Sequence, residues 1–217
     1  MSGNLLGPYE SSSRTASLSH FRHNQFSEEA ILKQHEPVMT ISGQDSFHMA
    51  LDEIFSGIDL CLAQGLFSPT LLLVFSCMDA FSWIELSAIQ NAKARFEAWV
   101  NKRVLPHQEV ICSAVDLYAA RSGMLHRLGT RSRLSESGEA AQISFCHGDA
   151  RFEALRAVSD LYSEKTGKPM PVVKLEALVV ALRKGVDSFL KDIESDLQLK
   201  AKMEKYWEGE QAFRFPA

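Results

Sequence analysis

Cysteine is scarce in this chain and poorly spaced for a metal. Four thiols, Cys61, Cys77, Cys112 and Cys146, lie far apart in 217 residues with no C-x-x-C pair, which argues against a structural zinc site or a dense disulfide framework. Reduced thiols are expected, with no metal and no cofactor. An excess of positive charge is also missing. The formal net charge of −4 argues against a generally basic nucleic-acid coat, so any polyanion site must be a local patch. Met1 to Ser13 holds no basic segment followed by an apolar run, so no secretory signal is read there. The most apolar stretch, Leu66 to Ile84, is broken by Ser68, Pro69, Ser76, Asp79 and Ser82, which suits a buried helix better than a bilayer span. There is no internal repeat and no sustained heptad array. These absences describe a soluble, cytoplasmic protein with no membrane partner.

A hydrophobic content of 46% against 23% charged residues fits one globular domain with appendages. Residues 1–45, rich in Ser, His and Gln, are expected to form a mobile arm with one short helix at Ser27 to Gln34, capped by Ser27 and stopped near Pro37. From Ser46 the residues Met49, Ile54, Ile58, Leu60, Leu62 and Ala63 recur at helical spacing until Gly65. Ser68 and Pro69 read as N-cap and first helical residue of a second, thoroughly apolar helix reaching about Ile89, a central element. A third helix is expected over Ala92 to Arg103, with Phe96, Trp99 and Val100 on one side, and a fourth over Gln108 to about His126. The glycine-punctuated segment that follows reads as loop, with a short strand at Gln142 to His147. The clearest periodicity runs from Leu175 to Leu197 and must pack on the rest. The fold expected is all-α: an antiparallel bundle of four to five helices over 46–202, followed by an aromatic tail over 203–217 carrying Tyr206, Trp207, Phe213 and Phe215.

The segment Asp116 to Arg127, DLYAARSGMLHR, holds the residues of interest. At about 100° per residue, Ala114, Tyr118, Arg121 and Leu125 share one face, which would set an arginine on the core-facing stripe. A buried guanidinium is costly unless paired, so Arg121 needs an anion, either a protein carboxylate or a bound phosphate. Asp79, a carboxylate within the apolar second helix, is the leading protein partner, and a structural Arg121–Asp79 pair accounts for both residues without catalysis. His126 likewise has a plain role, because a cationic side chain is favourable at a helix C-terminus.

Arg121-x-x-x-x-His126 within an apolar helix resembles the R-x4-6-H signature of the HEPN superfamily. The stretch Cys61 to Trp83 is similar to the helix-turn-helix of small bacterial HEPN-like proteins, and Asp116 to His126 to their signature helix. The likeness covers roughly Ser46 to Leu134 and, more weakly, the long helix from Val172. It implies an RNA-binding protein and homodimer. Many members of the family are metal-independent endoribonucleases that leave 2′,3′-cyclic phosphate ends, while others are inactive interaction modules. In the active case Arg121, His126 and Ser122 are the catalytic candidates. His126 would move protons, Arg121 would hold the scissile phosphate, and Asp79, Asp116 and Tyr118 would support them. At Ser122 the family often has Asn, Asp or His; serine donates a hydrogen bond but is no general base by itself. A toxin or defence role, with a cognate neutralising protein, would go with that activity.

Geometry constrains this reading, because five residues turn a regular helix about 140°, so Arg121 and His126 diverge unless Gly123 lets the last turn deform, the helix ends early, or a two-fold axis joins two copies. Arg127, Arg131 and Arg133 follow with no acidic residue before Leu134 and would track a phosphate backbone; a solvated loop is the plain alternative. Cys146 and His147 are adjacent in a possible strand and point oppositely, which argues against a thiol nucleophile with its base. His20, His23, His35, His48 and His107 lack metal-ligand spacing. A small-ligand sensor with Trp207 and Phe213 as a lid is a third reading that rests on composition.

Overall fold

The computed structural model describes residues 43–107 and 112–210, and most of them are helical. The expected arm, its helix at Ser27 to Gln34, and Phe213 and Phe215 lie outside the described residues. Helix α1 (Gly43–Ala63) and helix α2 (Phe67–Leu86) are joined by a tight turn in which Gly65 takes φ +66°, a left-handed conformation that glycine adopts without steric cost. The buried face of α1 is Phe47, Ala50, Leu51, Phe55 and Ile58, whereas Met49 and Leu60 are exposed. The inward stripe is therefore set by the aromatic residues rather than by all the aliphatic ones.

Helix α2 packs against four helices besides α1, including two near the C-terminus, and occupies the centre of the core. It is long and apolar enough to cross a membrane by length and composition, yet half of its most apolar window is buried against these neighbours. Ser68 is not its cap. The helix opens two residues earlier, after Leu66, with no side-chain cap bond, and Thr70 donates its hydroxyl to the Leu66 carbonyl at 2.8 Å. Pro69 sits in the first turn, where a missing N–H breaks no bond.

Asn91 caps α3 (Ala92–Trp99), accepting from the Ala94 N–H at 2.9 Å. The expected helix to Arg103 is interrupted: α winding stops at Trp99 and a π-helical turn, Val100–Val104, carries the chain into a short 3-10 turn, Leu105–His107. Such widened turns re-aim side chains relative to an α-helix. Here the turn lies against α7 (Leu175–Ser195), close enough that a Cβ on Gly185 would stand 2.5 Å from the Arg103 carbonyl oxygen.

Helix α4 spans Ala114–Arg127, starting later than the expected Gln108, which lies outside the described residues. Ser113 and Asp116 form a reciprocal capping box at its start. The segment expected to be loop contains α5 (Arg133–Ser137) and the long helix α6 (Asp149–Thr166). Helix α6 has no fully buried residue, so it lacked the periodic apolar face by which the other helices were read. It connects β1 (Ser144–Cys146) to β2 (Val172–Lys174), a parallel pair in the register Ser144 to Val172, and parallel neighbours need a crossover of this kind. Helix α7 carries the expected apolar face, burying Leu175, Leu178, Val179, Leu182, Val186, Phe189 and Ile193. Helix α8 (Leu197–Glu210) runs through the boundary expected at 203, and Met203 is buried against the core. The centre of that core is aromatic: Phe81 stacks on Trp99 at 5.8 Å and meets Phe189 edge-on at 5.2 Å.

Candidate functional site

Arg121 does not face the core. Leu117, Ala120 and Met124 form the inward stripe of α4, Leu125 is exposed, and the Arg121 side chain is 21% exposed on the flank of the helix. The stripe is rotated by about one residue from the expected one because the small side chains of Ala119, Ala120 and Gly123 allow the closer approach on that side. The predicted partner is the right one. Arg121 donates from Nε to Asp79 Oδ2 at 2.7 Å, and its Nη2 lies 2.5 Å from the same oxygen. Its guanidinium carbon also stands 5.6 Å from the centre of the Tyr118 ring, which in turn packs edge-on against Phe96. Burial pushes the Asp79 carboxyl above its ordinary range and outweighs the pull of Arg121 and of Arg95.

His126 lies one turn further on, exposed, in the last turn of α4 with Arg127 beside it. Gly123 does not break the helix, which runs regularly to Arg127 and ends on Leu128 in the left-handed region, φ +54°. Within one chain, then, the helix directs Arg121 and His126 to sides about 140° apart. Gly123 has a different reason to be glycine: a Cβ there would stand 2.4 Å from the Gly129 carbonyl oxygen and 2.7 Å from that of Arg131. The returning loop is laid directly on α4, and this closeness keeps residues 129–131 beside the end of the helix that bears His126.

The basic run is partly neutralised. Arg127 pairs with Glu136 at 2.9 Å, while Arg131 and Arg133 are exposed and have no carboxylate partner among the described residues. Ser122 is half-buried beside Arg121. Asp116 belongs elsewhere: its Oδ2 accepts the Ser113 N–H at 2.9 Å and its Oδ1 the Ala141 N–H at 2.6 Å, so it caps α4 and fastens the segment leading to β1. Cys146 is buried and directed at the Val173 carbonyl, with its thiol pushed up by burial, while His147 Nδ1 lies 2.8 Å from Glu176 Oε1. The two do not form a nucleophile and base. Among the described residues no group of three or more His, Cys, Asp or Glu side chains is arranged to hold a metal.

Sequence reasoning missed the arginine that is buried. Arg103, at the end of the π-helical turn, is 3% exposed, and each of its guanidinium nitrogens is engaged: Nε and Nη2 by Glu85 at 3.0 and 2.5 Å, Nη1 by Ser188 at 2.9 Å, and Nη2 also by Asp192 at 2.6 Å. Burial works against the Glu85 charge, but hydrogen bonds from Arg103 and Lys102 hold its carboxyl below the ordinary range. Glu85 was the available signal, as the other acidic residue of the apolar α2. Also missed was Trp83, one turn beyond Asp79, 44% exposed, with the Arg95 guanidinium 4.4 Å over its ring. No family model, curated protein or solved structure matches this chain.

Proposed function

We propose that this chain is a HEPN-like RNA-binding protein, an antiparallel helical bundle acting as a homodimer, that cleaves RNA without a metal. The observation that supports this reading is how Arg121 is held. Two of its nitrogens share a single oxygen of Asp79, its Nη1 has no protein partner among the described residues, and the side chain reaches solvent. A guanidinium so fixed is aimed and still has donors for a second anion, the scissile phosphate. His126 takes the proton of the RNA 2′-hydroxyl or returns one to the leaving 5′-oxygen, an exchange suited to imidazole near neutral pH, and the product carries a 2′,3′-cyclic phosphate. Because α4 turns the two groups apart, the reading requires two copies whose motifs line one cleft. Leu125 and Leu128, exposed on either side of His126, offer apolar surface for that contact. Arg131 and Arg133 hold the flanking backbone, and Ser122 contributes a hydrogen bond. Incubating the purified protein with labelled RNA in EDTA tests this: cleavage to cyclic-phosphate ends, abolished in a folded His126→Ala protein, is expected, and cleavage undiminished by that substitution rejects the assignment.

A second reading is carried by the same ion pair. With Arg121 already held by Asp79 and the helix turning His126 away from it, the chain serves as a noncatalytic module whose helical surface recruits a partner protein. Absence of cleavage together with a stable protein complex that survives His126→Ala would favour it.

A further inference from the structure

A depression of about 450 Å³ lies where the end of α2 meets α8, lined by Trp83, Ile84, Ser87, Lys202 and Lys205. Its chemistry is unusual for a surface hollow. One wall is an indole, 44% exposed and held in place by Arg95, whose guanidinium lies 4.4 Å over the ring and donates to the Ile89 carbonyl at 3.0 Å. Two lysines with no carboxylate partner among the described residues also line the hollow, and Ser87 adds a hydroxyl. An aromatic ring and two ammonium groups in one hollow match a flat π-system that carries a negative charge, which is the chemistry of a nucleobase with its phosphate.

The hollow also lies on the same stripe of α2 as the carboxylate that holds Arg121. Asp79, Trp83 and Ser87 stand four residues apart along α2 and so share one stripe of that helix, rising about 6 Å per step. Arg121 is bonded to Asp79 at one end of that stripe and Arg95 lies over Trp83 in its middle, so cationic groups border it on the way to the hollow. The hollow is shallow, unlike the enclosed clefts that retain small ligands unaided, so a nucleotide bound here needs neighbouring contacts to stay. We infer that Trp83, Lys202 and Lys205 form a stacking subsite for one unpaired nucleotide of an RNA strand whose backbone continues to Arg121. This rests on the RNA-binding reading above and adds to it the place where a base is gripped.

The test is fluorescence anisotropy of a labelled 2′-O-methyl oligouridylate, which cannot be cleaved through its 2′ position, titrated with the full chain over a range of salt concentrations. Trp83→Ala should weaken binding about tenfold, the usual scale for losing one base stacked on an aromatic ring, and Trp83→Phe should restore most of it. Joint replacement of Lys202 and Lys205 by Gln should lower the slope of log affinity against log salt by about one. Wild-type binding that none of these changes alters overturns the subsite and leaves the RNA-binding reading standing. If uridine monophosphate binds as tightly as the oligonucleotide, the hollow is a site for a free nucleotide and the strand assignment fails. Failure of the wild-type protein to bind either probe overturns both.

Discussion

Two arginine–carboxylate sites lie on either side of α2, and they show opposite uses of the same chemistry. Arg103 is enclosed and saturated: Glu85, Asp192 and Ser188 take up every guanidinium nitrogen, with 3% of the side chain left to solvent. Arg121 is held by one oxygen of one carboxylate at the surface. A saturated buried pair can only maintain the fold, because any new ligand would have to displace partners already in place. A pair with spare donors at the surface holds its arginine ready for an incoming anion. The carboxylates register the same contrast, since Glu85 is held below its ordinary range and Asp79 is pushed above it.

The largest effect should come from the enclosed site. Glu85→Ala leaves the Arg103 guanidinium buried with two of its four hydrogen bonds removed and should cost about 3 kcal/mol or more, read from urea denaturation. A loss under about 1 kcal/mol would dissolve the distinction between the two sites. Next is Gly123→Ala. Its Cβ would meet two carbonyl oxygens of the returning loop at 2.4 and 2.7 Å, so the substitution should destabilise by about 1–3 kcal/mol despite the better helix propensity of alanine. It should also shift the amide resonances of residues 129–131.

Asp79→Asn should change stability by less than about 1 kcal/mol, because both partners reach solvent. The pH dependence then separates the sites by sign. Glu85 has a lowered folded pKa, so its contribution is present above the ordinary glutamate range and is lost as pH falls through and below it; the advantage of wild type over Glu85→Gln should shrink in acid. Asp79 has a raised folded pKa, so its ionised form weighs against folding, and wild type should gain on Asp79→Asn as pH falls toward the ordinary aspartate range. Equal signs in the two series of denaturation curves would refute the assignment of opposite environments.

What the sequence disclosed depended on where apolar side chains gather. Helix α7 could be read almost to its ends because its buried positions repeat every three or four residues, and the Arg121–Asp79 pair followed from a lone carboxylate in an apolar helix. Helix α6 could not be read this way, because its packing against the strand pair leaves no residue fully buried. Counting by 100° steps sets Arg103 on the face of Phe96, Trp99 and Val100, so its burial was legible in the spacing; it escaped because a charged residue at the end of the helix was assigned to the solvated side. The face of α4 was misjudged by one residue, since the larger Tyr118 and Leu125 drew the stripe to their side while the small Ala119 and Ala120 are the ones buried. Trp83 carried no signal beyond its type.

The widened turn at Val100–Val104 makes the fold unusually sensitive to chain length at one spot. A π turn takes up about one residue more than an α turn, so dropping a residue there would restore ordinary winding and, where that residue is Arg103, take the guanidinium out of its site. Glu85 and Asp192 would then confront each other with their counter-ion gone. A one-codon deletion in this short stretch would therefore undo several long-range contacts at once, where a conservative replacement of any of its five members would disturb only its own.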